Sequence, residues 1–239
     1  MSWKNKFPKE NRYFETNNGI LYKGNCLDIM TNFPKQIIDT IITDLPYGVT
    51  QNKIDIPIPF EEIWKLLKQI RKDDTPIILF GQSKFFFKLC LSNEKEFKYD
   101  WVWDKELVSG FLNAKKIPLR QHEHIAVFYK KAGKYNPIMW EGKPLHSKGK
   151  SYKEKEIKNQ NYGEFKHTND SRAGEILKYP RSIIKFQKPH PSKALHPTEK
   201  SLDLMEYLIK TYSNENDLIL DFTCGSGTTL LAAENLNRK

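Results

Sequence analysis

The stretch Asp44-Leu45-Pro46-Tyr47, in the setting IIDTIITDLPYGVT, ends an apolar run with an acid, a rigid imino acid and an aromatic ring. None of these serves strand packing. The Asp44 carboxylate and the Leu45 carbonyl are neighbouring hydrogen-bond acceptors, and two acceptors suit one nitrogen with two donors, an NH2 group. Pro46 fixes the backbone that presents them, and Tyr47 offers a flat face for a planar ring. An exocyclic amine of a nucleobase fits the set. Reaching such an amine in duplex DNA requires the nucleotide to flip out and stack on an aromatic side chain. The plainer reading is a type I turn with a surface Tyr.

A second cluster, DFTCGSGTT from Asp221, puts an acid at a strand end and Gly225 and Gly227 at the opening of a helix. That arrangement lets backbone approach a ligand at a helix N-terminus. No Lys follows the second glycine, as a P-loop requires, and Leu230 stands where the dinucleotide fingerprint has its third glycine. A nucleotide-like cofactor without a pyrophosphate fits better; a tight strand-to-helix turn without a ligand is the alternative. His122 and His124 form an H-E-H pair with no further ligand cluster nearby, so surface or core roles are expected and no metal.

The elements that must hold these clusters alternate. Gly19–Lys23 reads as a short strand and Cys26–Phe33 as a helix with Leu27 and Met30 inward. Ile37–Thr43 is a β-branched run of buried-strand length. Pro59–Arg71 has apolar residues at helical spacing behind a proline. Thr75–Phe80 reads as a strand, Phe85–Leu91 as a helix, and Tyr99–Trp103 and His124–Tyr129 as further strands. Thr198–Tyr212 is an amphipathic helix capped by Thr198, Asp217–Phe222 a strand, and a last helix begins at Thr228. Such alternation predicts an α/β class with a doubly wound, mostly parallel sheet.

The chain has 239 residues, 38 % of them hydrophobic, enough for a sizeable α/β domain with an insertion. No apolar run is long enough to span a bilayer, and the amino terminus lacks a secretory or transit pattern. A soluble, cytoplasmic protein is expected. Cys26, Cys90 and Cys224 are scattered and read as buried thiols. Net charge is +10, and Lys130 to His190 holds 15 Lys and Arg against 6 Asp and Glu, so one segment carries nearly all of it. Tyr135, Trp140, Tyr152, Tyr162, Phe165, Tyr179 and Phe186 are interleaved there, a mixture suited to phosphates and bases. A solvated, lysine-rich surface insertion has the same composition.

Taken together, D-L-P-Y, D-F-T-C-G-S-G-T-T and H-P-T-E-K-S, in this order, resemble the tetrapeptide, glycine loop and preceding cofactor motif of the S-adenosylmethionine-dependent DNA amino-methyltransferases, the N6-adenine and N4-cytosine enzymes of β motif order. GNCLDIM, FGQSKFF, YDWVWDK, GFLNAKK and HEHIAVFYKK extend the likeness to adenine-methylating members of phage and prophage type, over nearly the whole chain. The resemblance implies a Rossmann-like methyltransferase fold with a catalytic half at 1–129, a basic target-recognition region at 130–190 and a cofactor-binding half at 191–239.

It also implies roles. Asp44 and Leu45 would hold the target amine, Pro46 would stiffen the loop and Tyr47 would stack the flipped base; Asp at the first place favours adenine, with cytosine the alternative. Leu45 departs from the commoner proline, which costs rigidity rather than chemistry. For S-adenosylmethionine the carry-over names Asn25, Cys26, Asp44, His196, Thr198, Lys200, Ser201, Asp221, Phe222, Thr223, Cys224, Gly225, Gly227 and Thr228. Asn25 stands where many relatives have Asp. Lys148, Lys150, Lys153, Lys155, Lys158, Arg172 and Arg181 would meet DNA. The partner is double-stranded DNA with base flipping; a restriction endonuclease and a second copy of the chain stay open, and no membrane is expected. A DNA-binding remnant without catalysis is a further alternative. The strand that should follow the last helix, with its ribose-holding acid, is expected to be missing, leaving the sheet edge beside the glycine-loop strand unpaired.

Overall fold

The structure, a computed structural model, describes residues 2–49, 55–145, 174–188 and 199–239. In chain order the elements are β1 (Arg12–Glu15), β2 (Ile20–Tyr22), α1 (Cys26–Thr31), β3 (Thr40–Thr43), α2 (Phe60–Ile70), β4 (Ile77–Gly81), α3 (Ser83–Ser92), β5 (Phe97–Ser109), β6 (Arg120–Phe128), β7 (Trp140–Glu141), β8 (Leu177–Lys178), β9 (Ile183–Lys185), α4 (Leu202–Tyr212), β10 (Ile219–Leu220) and α5 (Thr228–Asn235). They fall into two compact units, one of residues 1–136 and 181–239 and the other of Pro137–Pro180. In the smaller unit β7 pairs antiparallel with β8, and the Trp140 indole N–H donates to the Tyr179 carbonyl at 2.9 Å.

The larger unit is built on a six-stranded sheet of order β10-β3-β4-β6-β5-β9. The β10–β3, β3–β4 and β5–β9 pairs are parallel, whereas β6 is antiparallel to both β4 and β5. Alternation along each strand feeds two cores. Ile41, Ile77, Leu79, Ala126 and Phe128 face α1, α2 and α3, and Ile42, Ile78, Phe80, Trp101, Trp103, Ile125 and Val127 face α4 and α5. Helices on both faces make the doubly wound architecture. α2 shows why the local sequence yields a helix: Pro59 precedes it, Glu61 and Glu62 suit the positive end of its dipole, and Ile63, Trp64, Leu67 and Ile70 form its buried stripe.

Several expectations are corrected. The strand at Gly19–Lys23 forms as β2, but its partner is β1 in a two-stranded hairpin outside the central sheet. In α1 the buried pair is Ile29 and Met30, with Leu27 half-buried. α4 starts at Leu202 with Ser201 at the N-cap; the expected cap, Thr198, is outside the described residues. All three cysteines are half-buried rather than buried. The edge of β10 is partly covered: the Lys239 N–H donates to the Asp217 carbonyl at 2.8 Å and the Ile219 N–H donates to the Lys239 carbonyl at 2.6 Å. These two bonds have the spacing of a parallel ladder. Among the described residues no helix is long and apolar enough to cross a membrane.

Candidate active site

β3, β4 and β10 end on one edge of the sheet, and the loops that follow them carry the two clusters singled out in the sequence. Leu45 is 3 % exposed and packs into the core beneath the first loop, so its side chain anchors a segment that lacks a proline at that place. The Tyr47 hydroxyl donates to Asp44 Oδ1 at 2.7 Å, and its ring lies 4.7 Å from that of Phe85. Burial and the Asp44 charge push the Tyr47 phenol well above its ordinary value, so it stays a donor. Beyond it the Gly48 and Val49 N–H groups donate to the Asp55 carboxylate at 2.8 and 2.9 Å. Gly48 has φ +68°, and a Cβ there would come within 2.4 Å of the Pro57 ring, so only glycine makes this turn.

The glycine loop is tied to the first loop. Asp221 Oδ1 accepts from the Thr43 hydroxyl at 2.6 Å and from the Thr223 N–H at 3.1 Å, while Oδ2 accepts from the Thr229 hydroxyl at 2.5 Å. Burial raises the Asp221 carboxyl, and these three donors oppose the shift. The Thr223 hydroxyl lies 2.5 Å from that of Thr43 and donates to the Asp44 carbonyl at 2.9 Å. Asp221 is therefore the knot that joins β3, β10 and α5. Thr223→Val is expected to lower the unfolding free energy by about 1–2 kcal/mol, because the Asp44 carbonyl loses its donor. Urea denaturation checks this; an unchanged midpoint would show that the bond couples nothing.

A buried charge network completes the site. The Lys200 ammonium lies 2.9 Å from Asp44 Oδ2 and 2.8 Å from Glu123 Oε2, with the rings of Phe80 and Trp103 at 4.7 and 5.6 Å. Glu123 Oε1 pairs in turn with the Lys105 ammonium at 3.2 Å. Burial alone would lower the Lys200 pKa, but Asp44 and Glu123 outweigh it and hold the group above its ordinary value. Burial alone would raise Glu123, yet Lys200 and Lys105 bring it down to about 2. The Lys200 ammonium and the Glu123 carboxylate are therefore both charged near neutral pH.

Two cavities, of about 160 and about 70 Å³, share Asp221, Cys224 and Thr229 in their walls. The larger has apolar walls that include Ile20, Cys26, Ile29 and Phe222, with Glu234 at its side, where that carboxylate accepts from the Thr16 hydroxyl at 2.6 Å. The smaller is polar, lined by Asp44, Glu199, Lys200, Gly225, Ser226 and Thr228 among others. Gly225 and Gly227 have φ +53° and +81°, and a Cβ built on either meets nothing within 4 Å, so open space lies in front of this backbone. An elongated ligand with an apolar ring at one end and a charged group at the other fits such a cradle, which is the chemistry of S-adenosylmethionine.

Of the residues named from sequence, Asp44, Lys200, Asp221, Thr223, Cys224, Gly225 and Thr228 meet around the smaller cavity, and Cys26 and Phe222 line the larger. Gly227 and Ser201 are the N-caps of α5 and α4. Asn25 caps α1, its side-chain oxygen accepting from the Leu27 N–H at 2.9 Å. Arg181 is exposed just ahead of β9. His196, Thr198, Lys148, Lys150, Lys153, Lys155, Lys158 and Arg172 lie outside the described residues. Sequence reasoning missed Thr43, Lys105, Glu123 and Thr229. The signal for two of them was strand alternation: Tyr99, Trp101, Trp103 and Lys105 share one face of β5, and in H-E-H the Glu faces opposite to the histidines. His124 pairs with Asp100 at 2.8 Å and stacks on Phe86 of α3. Among the described residues no group of three or more His, Cys, Asp and Glu could hold a metal.

Known proteins share the fold and much of the sequence span. Type II methyltransferase M.BglII of Bacillus subtilis is 24 % identical over 232 residues, 91 % of this chain and 63 % of that protein. M1.MboII of Moraxella bovis is 27 % identical over 236 residues, 91 % of this chain and 88 % of its own. The chain therefore spans less than two thirds of the first relative and most of the second. Among solved structures, the cytosine-N4-specific PvuII DNA methyltransferase superposes with TM-score 0.65 at 17 % identity, over 97 % of this chain and 83 % of its own. The M1.HpyAVI complex with SAM gives 0.54 at 24 %, over 91 % and 89 %. At these identities the structural likeness speaks for the fold, a Rossmann-like methyltransferase sheet. The family model for N6/N4 DNA methylases matches residues 38–239, and the chain belongs to that family.

Proposed function

We propose that the chain is a site-specific DNA methyltransferase that carries a methyl group from S-adenosylmethionine to the exocyclic N6 amine of adenine. The observation that carries the reading is the Asp44 carboxylate, held between the Tyr47 hydroxyl and Lys200 at the wall of a polar cavity beside the glycine loop. S-adenosylmethionine, when bound, supplies an electrophilic methyl group. Phe222 and Cys26 would flank its adenine in the apolar cavity, and the backbone at Gly225 would border its methionine part.

The chain's own residues prepare the amine. Asp44 and the Leu45 carbonyl each accept one N–H of the flipped base and draw both out of the ring plane, which localises the nitrogen lone pair. Asp44 then faces the positive charge that develops on the amine during transfer, and the methylated nitrogen gives up its surplus proton to solvent to leave the neutral product. Each Asp44 oxygen has a lone pair left for the base beside its bond to Tyr47 or Lys200, and Glu123 gives Lys200 a second carboxylate on which to rest. The basic segment 130–190 would form the target-recognition region.

Cytosine N4 is the second reading, favoured by the superposition on the PvuII enzyme. Incubating the purified protein with S-adenosylmethionine and mixed-sequence duplex DNA, then analysing nucleosides by mass spectrometry, separates the two. N6-methyldeoxyadenosine at a defined site is expected, with sequencing of the product to map it. N4-methyldeoxycytidine alone would replace adenine by cytosine, and labelling of small amines without DNA would remove the reading.

A further inference from the structure

The loop that joins β5 to β6 has a role that neither the catalytic residues nor the cavities require. Phe111 is 67 % exposed, Ile117 52 %, and Leu112 is bare to solvent. Loops seldom expose three large apolar side chains together without a partner for them. The backbone here is nonetheless well organised. The Asn113 N–H donates to the Gly110 carbonyl, Ala114 to Phe111, and Lys116 and Ile117 both to Asn113, at 2.8–3.1 Å, with Gly110 at φ +92° making the entry turn. The tip is a compact double turn with its apolar residues outside.

Register fixes where it points along the sheet. Thr43 is level with Leu79, and Gly81 with His124, so β6 begins and β5 ends beyond the edge that carries Asp44. Trp103 pairs with Glu123 and Ser109 with Arg120, three residues further along β6 and about 10 Å beyond it, with β5 bulged between Asp104 and Ser109 and Glu106 at φ +55°. The same two strands carry Lys105 and Glu123 of the network on Asp44, so the hairpin is rooted in the site. Lys115, Lys116 and Arg120 are exposed on it, and from Gly110 to Arg120 it holds no acid.

An apolar tip flanked by cations is complementary to one structure that must approach this edge: the interior of a base stack between two phosphate backbones. We propose that the Gly110–Leu119 hairpin is a duplex wedge, with Phe111 and Leu112 entering the stack where the target nucleotide leaves it and Lys115 and Lys116 on the neighbouring phosphates. The inference rests on DNA as the substrate. It adds the group that opens the duplex, so that part of the unstacking cost is offset by burial of the two side chains.

The test compares the parent with Phe111→Ser/Leu112→Ser, whose substituted positions are exposed and outside both cores. The probes are pooled duplexes with 2-aminopurine in place of adenine across randomised flanks, and duplexes carrying the mapped site either fully paired or with an abasic position opposite the target. The variant is expected to lose the 2-aminopurine fluorescence rise and about tenfold in kcat/KM on the paired duplex. On the abasic duplex it should return to within about twofold of the parent. Parent-like flipping by the variant would overturn the wedge, and so would an equal loss on both duplexes. A dimeric parent that the substitution makes monomeric, with flipping intact, would assign the tip to self-association and also overturn it. A parent that unstacks 2-aminopurine but transfers no methyl would sink the transferase reading and leave the wedge standing.

Discussion

Asp44→Ala is expected to cut methyl transfer to DNA by roughly 10²–10³ in kcat, the usual loss when one group aimed at developing charge is removed. Affinity for S-adenosylmethionine should change by less than about threefold. The reasoning follows from the site. On the proposed mechanism Asp44 is the acceptor for the base, whereas the walls of the larger cavity and the loop knot at Asp221 persist without it. Lys200 also keeps a carboxylate, Glu123 at 2.8 Å, so no bare cation is left behind. Asp44→Asn, which keeps an acceptor but no charge, should lie between the parent and the alanine variant. Single-turnover transfer of labelled methyl and calorimetry of cofactor binding read the two quantities separately. A large loss of cofactor affinity with transfer preserved at saturation would mean that Asp44 serves the cofactor and not the base.

Glu123→Ala should destabilise the fold by about 3–5 kcal/mol, because it leaves Lys105 buried without its carboxylate and Lys200 with Asp44 alone. A pH dependence follows from the same geometry. The folded Glu123 carboxyl lies at about 2, below its ordinary 4.5, so the unfolded chain binds the proton more readily and stability rises with pH between those values. The contribution, on the order of 3 kcal/mol, is fully present above about pH 5 and is lost as pH falls toward 2. The other charges that bear on this group are Lys200 from the segment before α4, Lys105 on β5, Lys188 after β9 and Asp44 after β3. Urea denaturation of the parent and of Glu123→Gln from pH 7 to pH 3 isolates it. The parent should lose stability more steeply than the variant; parallel curves would show that the network is not ionised as described.

Much of the architecture is legible in residues 37–129 because its signals are local. The β-branched runs Ile37–Thr43 and Thr75–Phe80 contain β3 and most of β4, although β3 starts only at Thr40 and β4 at Ile77, and the i, i+3, i+4 stripe of Pro59–Arg71 marks α2 within a residue at each end. The boundaries that moved did so where side chains compete for the backbone. β10 ends at Leu220 instead of Phe222 because the Asp221 carboxylate already holds the Thr223 N–H and begins the turn. β5 runs on to Ser109 because its partner β6 extends the pairing past the edge of β4, which no short-range pattern announces.

The same division applies to the site. Its two loops are readable from local chemistry, since an acid, a proline and an aromatic ring after an apolar strand, and glycines that take positive φ at a helix start, are local choices with local causes. What surrounds them comes from distant parts of the chain. Glu123 and Lys200 stand 77 positions apart, and the Thr223 hydroxyl reaches the Asp44 carbonyl across 179. Those meetings depend on β10 lying beside β3 and on β6 lying antiparallel to β4, arrangements set by how whole strands share two buried faces rather than by any neighbouring residues. The surroundings of Asp44 are thus set by Lys200, Glu123 and Lys105, which packing alone brings to one edge of the sheet.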